Sequence, residues 1–79
     1  MKKTSASMIW LFNDIKQASI LDFNKLLNEV IYSSCRRFMQ LFNRLYPNNS
    51  FGYHELLALY DIFKDYSLGG GIYNGEYTK

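Results

Sequence analysis

The single proline, Pro47, is the feature that most constrains the fold of this 79-residue chain. Proline disfavours helical geometry in the residue before it, so a helix that arrives from the N-terminal side has to end near Tyr46. On both sides of Pro47 the apolar residues recur at spacings of three and four, which is the period of an amphipathic helix. The link YPNNS is short, and short links place consecutive helices antiparallel. The sequence therefore predicts an all-α fold that reverses direction at Pro47.

This periodicity predicts three amphipathic helices, over residues 5–18, 20–46 and 51–68. The second would be about 40 Å long at 1.5 Å per residue, and its wide apolar arc suits a central helix with two neighbours. Ser33 and Ser34 are the place where it would break, because serine side chains compete for the backbone, but we expect it to continue through them. Asn49 or Ser50 is the expected N-cap of the third helix. We predict one domain, a small three-helix bundle with a long central helix, because a chain this short has no room for a second core.

Residues 69–79 contain three consecutive glycines and, further on, an Asn-Gly pair between strand-favouring residues. Gly69 stands where a left-handed C-cap belongs, and Asn-Gly is a strong signal for a hairpin turn. A phosphate-binding loop is not favoured, because the glycines follow the C-terminal end of a helix, which repels anions. We interpret this segment as a hinge and a short hairpin or extended tail that presents Tyr73 and Tyr77, packed on its own chain or on a partner.

Residues suited to catalysis or to metal binding do not form a recognisable set. Cys35 and His54 are the only cysteine and histidine, and the antiparallel arrangement places them about 15 Å apart. One histidine and one cysteine cannot supply the four ligands that zinc takes in structural sites. We therefore expect a non-enzymatic protein without a metal or another cofactor.

The three arginines, Arg36, Arg37 and Arg44, all fall within nine residues of the second predicted helix. Arg37 and Arg44 are seven residues apart and therefore share one helical face. Such a cluster suits phosphates, a carboxylate-rich partner or nucleic acid. In the competing interpretation, Asp61 and Asp65 of the third helix pair with these arginines within the chain, because antiparallel packing sets them level.

Apolar and aromatic residues exceed what the helix faces predicted here can bury. Other residues extend beyond the main face of the third helix, and Trp10 lies opposite the stripe formed by Met8, Leu11, Phe12, Ile15 and Ala18. Trp, Tyr and Arg are the residue types that dominate binding hot spots. The predicted partner-binding residues are Trp10, Arg36, Arg37, Arg44, Leu59, Ile62, Tyr66, Tyr73 and Tyr77.

The leading functional hypothesis is a small protein-binding module that acts as a regulator, adaptor or inhibitor by occupying the surface of another protein. The alternatives are a nucleic-acid-associated regulator that uses the arginines, and a homo-oligomeric structural protein. A formal charge of +2 is too small to favour nucleic acid by itself. We expect a cytoplasmic protein outside the membrane, because the apolar run before Asn13 is short for a secretory signal and no stretch approaches the length of a membrane span. The bias towards Asn, Lys, Ile, Phe and Tyr suggests AT-rich coding, which is associated with phages and mobile elements.

Overall fold

The computed structural model of the chain describes the backbone of residues 2–69 and the side chains from Met8 to Gly69. The four helices are α1 Lys2–Ala18, α2 Ile20–Tyr32, α3 Cys35–Leu45 and α4 Tyr53–Ser67. Within these described residues the predicted all-α fold is confirmed. The hairpin or tail predicted for the C-terminal segment, with Tyr73 and Tyr77, lies outside them.

The prediction of one long helix over residues 20–46 is wrong, because the chain folds back on itself at Ser33 and Ser34. Ser33 leaves the helical conformation, Ser34 has extended backbone, and the Ser34 hydroxyl accepts the Arg37 N–H at 3.3 Å as the N-cap of α3. The Tyr46 hydroxyl donates to the Asp22 carboxylate at 3.1 Å. In a continuous helix these two residues would be about 36 Å apart. α2 and α3 therefore form a helical hairpin.

The central helix of the bundle is α4, which packs against each of the other three helices. The ring of Phe63 in α4 contacts one phenylalanine from each neighbour, at centroid distances of 4.9 Å to Phe12, 5.1 Å to Phe23 and 5.4 Å to Phe38. Five of the six phenylalanines are buried, so most of the aromatic content forms the core. Among the described side chains, no polar or charged residue is buried.

The turn between α3 and α4 differs from the predicted capping. Gly52 is the N-cap of α4, and its N–H donates to the Glu55 carboxylate at 2.9 Å. Asn49 instead holds the turn, since its amide donates to the Tyr46 carbonyl at 2.7 Å and its side-chain oxygen accepts the Phe51 N–H at 2.9 Å. At the other end of α4, Gly69 has a φ of 87°, the left-handed conformation that its position predicts.

Candidate functional site

The solvent-facing side of α3 carries all three arginines of the chain. On the opposite side of this helix, Phe38 and Phe42 are buried in the core. The exposed residues of α3 form what we call the arginine face, made of Arg36, Arg37, Gln40, Asn43 and Arg44. The helix contains no aspartate or glutamate. This eleven-residue helix therefore presents three positive charges on its solvent-facing side and carries no negative side chain.

The arginines take part in no ion pair among the described residues. The predicted pairing with Asp61 and Asp65 is thus not found in this part of the chain. Asp61 instead lies near Cys35, where its charge and, to a greater extent, burial raise the pKa of the thiol. Cys35 occupies the flank of α3 that turns towards α4, whereas the arginines project from the solvent side. The charge of Asp61 thus acts on this thiol and forms no ion pair with a described arginine.

The break at Ser34 places Arg36 and Arg37 in the first turn of α3. The N-terminal end of a helix carries a partial positive charge, which favours aspartate and glutamate there and disfavours arginine. Each such cation costs typically about 0.3–1 kcal/mol at the surface. The first turn of α3 contains no acidic residue that would offset this cost. The prediction of a continuous helix put both arginines in a helix interior and missed this feature.

A polar groove of about 220 Å³ lies between α2 and α3, on one side of the arginine face. Its lining residues are Glu29, Arg37, Gln40, Leu41 and Arg44. Glu29 is the single acidic residue among them, and it makes no ion pair with the described arginines. Two guanidinium groups next to one carboxylate leave this groove with a positive balance, which suits an incoming carboxylate or phosphate.

A second groove, of about 350 Å³, lies on the other side of the arginine face, where α3 meets the start of α4. It is lined by Cys35, Arg36, Met39, Gln40, Asn43 and Tyr53. Tyr53 is 63% exposed, so an aromatic ring is accessible in the same groove that Arg36 lines. Tyr32, the last residue of α2, is 82% exposed directly before the turn that leads into α3. The sequence reasoning missed Tyr53 and Tyr32, because it placed one on a buried face and the other inside a long helix.

Trp10 is 68% exposed on α1, as its position opposite the buried stripe predicts. It lines neither groove of the arginine face. The structure therefore places it on a separate helix, and its role in partner binding stays a prediction.

Two of the predicted partner-binding residues are in the core. Leu59 is 0% exposed and Ile62 is 4% exposed, so neither can contact a partner in this fold. The prediction assumed that one face of the third helix is buried, whereas α4 has neighbours on three sides. Tyr66 is half-buried, with its ring 5.5 Å from those of Phe12 and Phe23 and under the Lys16 ammonium at 4.8 Å. We therefore assign Tyr66 a mainly structural role.

The part of the chain that the structure describes contains neither a metal-binding cluster nor a helix suited to spanning a membrane. No group of three or more His, Cys, Asp or Glu side chains there is arranged to hold a metal ion. None of the described helices combines the length and the apolar character that crossing a membrane requires. Comparison with protein-family models, curated proteins and solved structures finds no significant match to this chain.

Proposed function

We propose that this chain is a small, non-enzymatic protein-binding module whose arginine face docks on an acidic surface of a partner protein. It acts as a regulator, adaptor or inhibitor by occupying that surface. The observation that carries the proposal is the position of Arg36 and Arg37 in the first turn of α3, where they oppose the helix dipole and form no ion pair with a described residue. Departures from local stability rules are expected at functional sites, where binding outweighs the lost stability.

The surroundings of the arginine face support this proposal. Arginine binds carboxylates with two parallel hydrogen bonds, and arginine and tyrosine are both enriched in binding hot spots. The grooves on either side offer space for partner side chains, one beside Glu29 and the other beside Tyr53. We assign Tyr53 and Tyr32 as the apolar contacts that accompany the charges. Trp10 on α1 is proposed as a second anchor for a partner large enough to reach it.

A nucleic-acid-associated regulator is the second candidate, since the same three arginines suit phosphates. Glu29, in the groove of Arg37 and Arg44, repels an incoming phosphate and an incoming carboxylate alike, so this residue does not separate the two candidates. The two candidates differ in salt dependence. For a nucleic-acid complex, the logarithm of the affinity falls steeply and linearly with the logarithm of the salt concentration. A protein complex that also has apolar contacts loses less affinity as salt is added.

A homo-oligomer is the third candidate, and the exposed apolar residues of α2 support it. Ile20, Leu21 and Ile31 all lie largely in solvent. Two copies related by a two-fold axis would cover these residues against each other. Native mass spectrometry at micromolar concentration distinguishes such a dimer from a monomer that binds another protein.

The test uses the variant Arg37→Glu and a matched control, Lys64→Glu, which makes the same charge change on the exposed side of α4. Proteins that bind the full-length chain are captured from an extract of the cells that produce it, identified, and titrated by calorimetry. We expect Arg37→Glu to weaken binding by about tenfold or more and Lys64→Glu to change it less than about twofold. If Arg37→Glu and Lys64→Glu bind the partner with equal affinity, the arginine face is not part of the interface.

Arg37 is the best position for this test because the variant should fold at least as well as the parent chain. Residue 37 is the third residue of α3, and its N–H already bonds to the Ser34 hydroxyl. A glutamate there completes a capping box and complements the helix dipole. We expect the free energy of unfolding to rise by up to about 1 kcal/mol. Lost binding in a more stable protein cannot result from unfolding.

A further inference from the structure

An apolar cleft of about 370 Å³ lies away from the arginine face, between α1 and the end of α3. These two helices hardly touch each other directly, which leaves the space open. Leu11 and Ile15 of α1 form one wall, Phe42 and Leu45 of α3 form the other, and Phe51 of the following turn closes one end. The volume and the aromatic walls are those of a small-molecule site.

Three polar side chains lie among the residues that line this cleft, those of Tyr46, Asn48 and Asn49. The Tyr46 hydroxyl donates its proton to the Asp22 carboxylate, so its oxygen is left to accept. The amide of Asn49 also lines the cleft, but its donors are engaged with the Tyr46 carbonyl and Asn43, and its oxygen with Phe51. The Tyr46 oxygen therefore suits a ligand group that donates a hydrogen bond.

Negative charge lies beside the Tyr46 hydroxyl. Asp22 holds the Tyr46 hydroxyl, and Asp14 is one helical turn beyond Leu11 on α1. The Asp22 carboxylate is 3.1 Å from the Tyr46 hydroxyl oxygen, and the charges of Asp22 and Asp14 both help to raise the pKa of Tyr46. Neither forms an ion pair among the described residues, although Lys25 is one turn beyond Asp22. Lys16, the other nearby cation, lies over the Tyr66 ring.

We propose that this cleft binds a small amphipathic cation, with an apolar or aromatic body between α1 and α3 and an ammonium group at Tyr46, Asp22 and Asp14. The apolar walls select the body of the ligand, and the acceptors and carboxylates select its charge. This site is independent of the arginine face, since it uses other residues and the opposite charge.

The test compares three ligands with one body and different head groups: phenylpropylammonium, phenylpropanol and phenylpropionate. Each is titrated into the full chain at neutral pH and followed by NMR on the methyl groups of Leu11, Ile15 and Leu45. We expect the ammonium compound to bind about tenfold or more tightly than the carboxylate, with the alcohol between them. Asp14→Asn, which removes a charge but no described hydrogen bond, should reduce this preference severalfold, and the control Asp65→Asn should not.

Three results would overturn the proposal. Equal affinities for the three head groups would mean that charge plays no part, and unchanged methyl shifts would mean that the cleft does not bind such ligands. Nuclear Overhauser contacts from Tyr73 or Tyr77 to these methyl groups in the free protein would assign the cleft to the C-terminal segment of the chain itself. None of these results bears on the arginine face, because no residue of that face lines the cleft.

Discussion

A single phenol, that of Tyr46, ties the end of α3 to the beginning of α2. Its hydroxyl donates to Asp22 at 3.1 Å, and its ring packs on Phe42 at a centroid distance of 5.0 Å. Burial, then the hydrogen bond and charge of Asp22, and then the charge of Asp14 raise the pKa of Tyr46 to about 12. The neutral phenol is thus the form that the folded protein stabilises.

Replacing Tyr46 by phenylalanine should lower the free energy of unfolding by about 0.5–1 kcal/mol at neutral pH, since one partly exposed hydrogen bond is lost. The folded pKa lies above the ordinary value of 10.0, so this stabilisation is complete below pH 10 and is lost as the pH rises towards 12. Urea denaturation of both proteins between pH 7 and about pH 11.5 measures the difference. A difference that stays constant or grows above pH 10 would contradict this account.

The burial of a side chain was predictable from the sequence where the spacing of apolar residues within one helix decides it. The helical spacing predicted the exposure of Trp10 and a buried face of α1 on which Met8, Phe12 and Ile15 are indeed buried, whereas Ala18, at the end of the predicted stripe, is exposed. The same reasoning failed for Leu59 and Ile62. A residue on the flank of a helix is buried or exposed according to how many other helices pack around that helix. The spacing of apolar residues within one helix carries no information about that number.

The α2–α3 hairpin shows how two serines decide the course of the chain. Apolar residues continue at helical spacing through Ser33 and Ser34, so periodicity alone favours one long helix. Folding back buries Phe38 and Phe42 and places the Phe38 ring against α4, which a straight helix of about 40 Å could not do. This gain depends on contacts between distant parts of the chain, so the local pattern could not reveal it. The position of the arginines in a first turn follows from the hairpin and was unpredictable for the same reason.

Ser34→Ala should lower the free energy of unfolding by about 1 kcal/mol, because the Arg37 N–H loses its capping acceptor. Ser50→Ala is the matched control, since Ser50 is exposed and makes no described hydrogen bond, and we expect it to change stability by less than about 0.5 kcal/mol. Thermal unfolding followed by circular dichroism measures both effects. A rise in helical signal with unchanged or higher stability would indicate that alanine joins α2 and α3 into one helix.

In the molecule as a whole, stability and proposed function use different parts of the chain. The core gathers around α4, with Phe63 in contact with a ring from each other helix. The arginine face lies on the solvent side of α3, and its residues contribute no side chain to that core. Charge changes on this face should therefore alter binding without disrupting the fold. The sequence predicted the arginines as a binding cluster, but their flanking grooves exist only where α3 packs against α2 and α4.

The central claim is that the arginine face is the partner-binding surface, and NMR mapping of the chain with its captured partner tests it most directly. We predict that the largest amide shift changes on complex formation fall within residues 36–44 and at Tyr53, with smaller changes near Trp10. We also predict that these changes are strongly reduced for Arg37→Glu at the same concentrations. Changes confined to α1 around Trp10 or to residues 70–79, with residues 36–44 unaffected, would contradict the account.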